Sequence, residues 1–369
     1  LQGNYLNGNR DGTWTEFFKD GKRKTELNYS NGKFSGLQSY WSSNGNKIEE
    51  KNYINGKQQG LWTIYFEETG IKKEETFYID GVQEGLWTEW FEDGQKRRER
   101  NFKYGERDST WNTWYENGNK RFLATYSDGK LNGKYTRWYQ GGIIKEQDGD
   151  YTNNKKHNRW VFWAKNGQKS EEINYNTGIQ NGPHIKWFGD SSDQHKEFHK
   201  NFKNGEKDGA WHYWYTTGVD SLKSSYLEGK KDGHWVWWRS NGLKDKEGFY
   251  KKEKKHGVWT VWNDSSGTAY HKLHEETFVN DIIDGSVTKW YKEGDIDRQG
   301  VMRGKEREGE WTYWEKGGKR WLKFDYGDGL ERVTLGEIEE RDGITYKIGK
   351  YEPYIGIVEE IGGKRGYKL

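Results

Sequence analysis

Large apolar residues fall at fixed places along this chain, separated by charged residues and punctuated by glycine. A glycine followed two residues later by tryptophan recurs at Gly12-Thr-Trp14, Gly60-Leu-Trp62, Gly85-Leu-Trp87, Gly209-Ala-Trp211, Gly233-His-Trp235, Gly257-Val-Trp259 and Gly309-Glu-Trp311. Weaker copies begin at Gly36, Ser109, Gly133, Asn158, Gly182 and Gly285, so starts recur about every 24 residues, the period of a stacked supersecondary unit. Each unit reads G-x-W-x-x-W-Y-x-N-G-x-K, then charged residues, an aromatic and a second Asn-Gly or Asp-Gly pair, as at Trp111, Trp114, Tyr115, Asn117, Gly118, Lys120, Tyr126 and Gly129.

Asn-Gly and Asp-Gly are strong hairpin signals, because a two-residue type I′ turn needs positive φ at both positions. They come twice per unit: Asp20-Gly21, Asn44-Gly45, Asp93-Gly94, Asn117-Gly118, Asn166-Gly167 and Asn241-Gly242 in one set, Asn31-Gly32, Asn55-Gly56, Asp80-Gly81, Asp128-Gly129 and Asn204-Gly205 in the other. The segments between them have the length and the Thr, Trp, Tyr and Phe content of strands. The pattern predicts an all-β chain, an elongated single-layer antiparallel meander of tandem hairpins. At roughly 4.8 Å per strand, about 26 strands would run on the order of 120 Å. About thirteen units occupy residues 1–329; residues 330–369 read as degenerate, Trp-poor repeats continuing the same sheet, and both ends look cut mid-unit.

Strand alternation places Trp111 and Tyr115 on one face and Trp114 on the other, so both faces carry aromatic rows stacked from unit to unit. Cross-strand aromatic pairs contribute a few tenths to about 1 kcal/mol each, and only neighbouring units supply them, so one unit alone should not fold. A single layer with two aromatic faces must also be covered, by a partner, by self-association or by the chain itself.

Composition agrees with this reading where it first looks contrary. A mean hydropathy of -1.28 with 32% charged residues suits a solvated chain, but 22 Trp, 25 Tyr and 15 Phe supply an aromatic core. The 61 basic and 58 acidic residues are finely mixed, which gives no single-sign block to draw the chain to nucleic acid or an acidic membrane. There is no Cys, and no apolar stretch long enough for a transmembrane helix.

No nucleophile elbow, phosphate-binding loop or dinucleotide fingerprint is present, and the chain reads as a non-enzyme with no cofactor. His195 and His199 have ligand spacing only for a helix; in a strand they sit about 13 Å apart, and His271 and His274 fare no better. Lysines beside glutamates, such as Lys47 with Glu49 and Glu50, Lys73 with Glu74 and Glu75, Lys96 with Glu99, and Lys169 with Glu171 and Glu172, read as cross-strand pairing that keeps an exposed sheet soluble. Two first turns are lengthened, giving candidate interaction loops at Asp190, Ser191, Ser192 and Asp193 and at Asp264, Ser265 and Ser266, although tolerated insertion at an exposed turn is the favoured explanation of both. Phe162, Trp237, Trp238 and Trp321 break the usual pattern and are candidate exposed aromatics, platforms suited to a glycan or a cation.

The N-G-K…G-x-W-x-x-W-Y-x-N-G-x-K…E-x-x-Y pattern resembles MORN repeats, and more closely the variant form common in bacterial proteins, some of them labelled antitoxins. The resemblance covers about residues 3–329 and implies a hairpin-built elongated sheet with a scaffolding, tethering or partner-binding role and no catalytic residues. Two Trp per unit and the missing Tyr-Glu-Gly run depart from the common eukaryotic pattern. The leading expectation is thus an interaction scaffold within a larger, cell-surface or filamentous assembly. A carbohydrate- or cell-wall-binding module and an antitoxin bound to a cognate toxin are the alternatives. A secreted or envelope location and a cytoplasmic one both fit.

Overall fold

The computed structural model describes residues 2–189, 194–264 and 269–327, together with five short strands beyond them. The chain divides into two compact units, Leu1–Asp190 and Ser191–Leu369. Among the described residues there is no helix. In the first unit the strands from Gln2–Leu6 to Ile179–Trp187 form an antiparallel meander, the short Lys33–Phe34 and Gly36–Trp41 both pairing with Arg23–Ser30; Glu106–Trp114, for example, lies between Lys96–Lys103 and Lys120–Ser127. The second unit repeats the scheme from Lys196–Lys203 to Arg320–Asp325. Beyond Asp325 the pairing changes: Arg332–Thr334 lies parallel to Ile357–Glu359, and Ile338–Arg341 forms a hairpin with Ile344–Lys347. These described strands do not extend the meander expected over 330–369, a stretch without the tryptophans that tie one repeat to the next.

The two Asn-Gly sets form different turns, where the sequence suggested one. In the second set both residues are left-handed, Asp128 at φ 47° and Gly129 at φ 73°, as type I′ requires. In the first set only the glycine is, Gly118 at φ 79°. There Gly118 N–H donates to the Tyr115 carbonyl and Tyr115 N–H to that of Asn119, a type I turn closed by a left-handed glycine. Asn117 serves this turn through its side chain: its Oδ1 accepts from Asn119 N–H at 3.0 Å, and Asp20, Asn44, Asp93, Asn166 and Asn241 do the same.

The repeat glycine, position zero of each unit, has a structural task of its own. Gly60 at φ 72° and Ser109 at φ 54° sit at a bulge, where the pairing register slips between Lys51 and Tyr53 and between Glu99 and Asn101. A bulge bends its strand and leaves a backbone group unpaired. That group is used: the indole N–H of Trp62 donates to the Asn52 carbonyl at 3.0 Å and that of Trp111 to the Asn101 carbonyl at 3.0 Å. The same bond, ten residues back, recurs at Trp14, Trp160, Trp211, Trp235, Trp259 and Trp311. Glycine and tryptophan thus belong to one device. The glycine opens the ladder, and the indole satisfies the opened carbonyl and buries its ring, so that Trp160 is 0% and Trp311 3% exposed.

On this inner face the ring is packed by the residue it meets on the preceding strand. Under Trp160, Trp259 and Trp311 that residue is Gly149, Gly248 or Gly300, where a Cβ would lie 2.2–2.4 Å from the indole. Elsewhere a cation covers the ring, as Lys51 does at 4.9 Å from the Trp62 centroid. On the outer face, lysines lie over the tryptophan of the following repeat: Lys72 over Trp90, Lys145 over Trp163, Lys244 over Trp262 and Lys272 over Trp290. The same lysines pair with an acid three residues on, Lys72 with Glu75 and Lys244 with Glu247; the first pair uses Lys72 where the sequence suggested Lys73. Along one edge, tyrosines tie successive first turns, Tyr115 Oη donating to the Trp138 carbonyl and Tyr139 Oη to that of Trp163.

Candidate functional site

The inner-face slots are filled differently from one repeat to the next, and the widest departure lies between Phe91 and Gly141. On strand Lys96–Lys103 the inner positions belong to Arg98, opposite Glu89 and Thr113, and Arg100, opposite Trp87; Arg97 is the extra residue of a second bulge. On Lys120–Ser127, Arg121 occupies the equivalent bulge and Phe122 pairs with Thr113. On Lys130–Trp138, Arg137 pairs with Phe122. Register thus gathers five arginines from three strands around one cavity of about 980 Å³, whose wall also includes Trp111, Phe122, Tyr126 and Tyr135.

The charges there are unevenly compensated. Glu89, 9% exposed, accepts from Arg97 Nη1 and Arg98 Nη1, both at 2.9 Å. Arg137 Nε lies 2.8 Å from Glu146. Arg100 and Arg121 form no ion pair with any described residue. The Arg100 guanidinium lies 4.6 Å from the Trp87 ring and 4.9 Å from Trp111, and its buried Nε has no hydrogen-bond partner. Burial pulls its pKa below the ordinary arginine value, Arg98 and Arg107 adding to the effect and Glu89 opposing it. Arg121 is exposed, over the Tyr115 ring at 5.7 Å. Burial raises the Tyr135 phenol, which stays neutral at physiological pH. Chemically the cavity offers a fork of fixed donors beside aromatic walls, a setting that accepts anions.

Among the described residues, none of the candidates read from sequence joins this cavity. Phe162, Trp237 and Trp238 are half-buried, not exposed, because rings and cations of adjoining strands cover them. Phe162 packs 6.2 Å from Trp160 beneath Lys156; Trp237 lies between Trp235 at 5.5 Å and Trp259 at 5.9 Å; Lys223 lies over Trp238 at 5.1 Å. The side chain of Trp321 and residues Asp190, Ser191, Ser192, Asp193, Ser265 and Ser266 lie outside the described residues. Asp264 is exposed beside Asn263, which is 2% exposed and anchors the lengthened turn, donating to the Ala269 carbonyl at 2.9 Å and accepting from His271 N–H at 3.1 Å. The arginine cavity had one signal in the sequence, the run Lys96-Arg-Arg-Glu-Arg100, with four basic residues in five, three of them arginine. Among the described residues no group of three or more His, Asp or Glu is placed to hold a metal, and no helix is long and apolar enough to cross a membrane.

Comparison with known proteins adds a family. The MORN repeat variant model matches residues 10–31 and 83–104, the second match running into the arginine-bearing strand. No curated protein matches the chain. Among solved structures, TcdB2-TccC3 and TcdB2-TccC3-Cdc42 are both similar at 13% identity and a TM-score of 0.17, over 91% of this chain and 20% and 19% of theirs; the chain therefore spans about a fifth of their length. The chain thus carries the variant form of the MORN repeat at residues 10–31 and 83–104, and the indole-to-carbonyl device recurs in both units.

Proposed function

We propose that the chain is a non-enzymatic interaction scaffold that holds a protein partner against the inner face of its first unit. The observation that supports this reading is the cavity between Phe91 and Gly141. Elsewhere along the inner row, rings meet glycines, small side chains or a single lysine, as at Trp62 and Trp211; here five arginines gather and line a walled space. A fold that repeats its packing so regularly has no structural need for Arg100 with an unbonded buried Nε. Such departures from local consistency mark binding positions more often than packing ones.

A photo-crosslinking residue placed at Phe122, inside the cavity, and separately at Phe162, within the packed row of a neighbouring repeat, tests the reading in extracts of the native source. The expected result is one discrete crosslinked partner from position 122 and none from position 162. Equal labelling from both positions, or none from either, overturns it.

A further inference from the structure

We propose that the arginine cavity is a docking site for an extended, carboxylate-rich peptide segment of a partner protein; this rests on the scaffold reading above and specifies the chemistry of its partner. The structure already contains the interaction in miniature. Glu89 lies at the mouth of the row with its two oxygens taken separately by Arg97 and Arg98, so a carboxylate on this face is met by two guanidinium donors at 2.9 Å. The next two arginines along the row, Arg100 and Arg121, have the same donors and no acid among the described residues to receive them. Arg100 is held between Trp87 and Trp111, which fixes its fork and lowers the entropy lost when a carboxylate engages it.

Spacing suits a peptide. The arginines extend across the strands from Lys96–Lys103 to Lys130–Trp138, three strand intervals or roughly 15 Å, the length of about five extended residues. Alternate side chains of an extended peptide point the same way, so acids at every second residue would meet guanidinium groups beside Phe122 and Tyr135 while the residues between them point away from the face. Glu89 and Glu146 pair with Arg97, Arg98 and Arg137, and the wall itself adds only Glu116, which leaves the five arginines in excess. Carboxylates accept bidentate arginine bonds and are drawn in by the excess positive field.

Fluorescence anisotropy with the full chain tests this, using a fluorescein-labelled peptide of alternating Asp and Tyr, its Asn-Tyr counterpart, and sodium tripolyphosphate as competitor. The expected result is saturable binding of the Asp-Tyr peptide that weakens steeply with added salt, with the Asn-Tyr peptide at least about tenfold weaker. Arg121→Gln, at an exposed position that leaves folding intact, should weaken binding by about tenfold, and Arg100→Gln by as much or more. Arg159→Gln, on the outer face and paired with Glu172, should bind as the parent chain does. Equal affinity for the two peptides, or an unchanged affinity in Arg121→Gln, overturns the proposal. So does binding of tripolyphosphate, measured by titration calorimetry, without binding of the Asp-Tyr peptide, which would make this a phosphate site. Should a partner crosslink at position 122 while the Asp-Tyr peptide fails to bind, the scaffold reading stands and the peptide chemistry falls; failure of both assays removes both.

Discussion

The repeats around Trp111 and around Trp259 use one backbone plan to opposite ends. Each has a left-handed residue at position zero, a bulge, and an indole bonded to the carbonyl ten residues before it. At Trp259 the facing slot holds Gly248, and Trp237 packs against the ring at 5.9 Å, so the face is filled. At Trp111 the facing slot holds Arg100, the position beside it Thr113, and a cavity remains. Two or three slot residues thus decide whether a stretch of sheet is packing or surface for binding, without disturbing the frame. A repeat protein can therefore carry a site anywhere along its length, and the site shows as a local loss of packing.

The sharpest way to break this comparison is to remove the ring. Trp259→Ala should destabilise the second unit by about 3–5 kcal/mol, the range for a large buried aromatic, and Trp111→Ala the first unit by less, since its ring already borders open space. Urea unfolding followed by tryptophan fluorescence and circular dichroism measures both. Equal losses would mean that the cavity costs the first unit nothing in packing. Next in size is Gly248→Ala. Its Cβ would stand 2.2 Å from the Trp259 ring, and overpacking of this kind costs about 1–3 kcal/mol, whereas Ala124, which faces Tyr135, shows that the same slot accepts a methyl group where the ring is smaller. A Gly248→Ala chain as stable as the parent would show that the indole can shift aside.

Much of this was legible in the sequence, and the limit has a physical cause. The period, the two turns per unit and the aromatic rows follow from residues a few positions apart, where local rules act. That the two Asn-Gly sets differ was hidden, because the dipeptide suits both a type I′ turn and a type I turn ending in a left-handed glycine; the number of residues between the paired strands decides. The indole-to-carbonyl bond could not be read at all, since it depends on a bulge. The arginine cavity was hidden for a related reason: Arg97, Arg98 and Arg100 meet Arg121 and Arg137, distant in sequence, only through register. Phe162, Trp237 and Trp238 stood out as pattern breaks, yet a break that adds an aromatic to an aromatic row adds packing.

Acid separates the two units by a smaller amount. His199, His212 and His274 all lie in the second unit, and burial holds each below the ordinary histidine pKa, with Lys196 adding at His199 and Asp220 opposing at His212. A histidine depressed in the folded state binds its proton more readily when unfolded. Its contribution is therefore complete above about pH 6.5 and is lost as pH falls below that value, through the depressed pKa of the folded state. In the first unit Glu171 and Glu172 are held below the usual carboxylate range by hydrogen bonds from His184 and Arg159, so their contribution is lost only as pH falls below about 4.5. Hydrogen-exchange protection measured at about pH 7.5 and about pH 5.5 should fall in the second unit and hold in the first. A uniform fall would remove the distinction.

The smallest expected effect is the most telling for the cavity. Arg100 lies half-buried with an unbonded Nε, in contact with two indoles and without an acid among the described residues. A charge in such a place opposes folding through its desolvation, and exchange for a side chain of similar volume without charge is commonly neutral or stabilising. Arg100→Met keeps the long stem against Trp87 and Trp111 and should change the unfolding free energy by less than about 1 kcal/mol, in the stabilising direction where it changes at all. Its counterpart Lys51→Met, beneath Trp62 but paired with Glu49 at 2.5 Å, should be mildly destabilising, since it strips a partner from an acid. If both substitutions weaken the fold alike, Arg100 is one more cation covering a ring and the cavity is a packing defect. If Arg100→Met is tolerated and Lys51→Met is not, the arginine contributes nothing to folding that a methionine would not, and its charge is kept for something that binds.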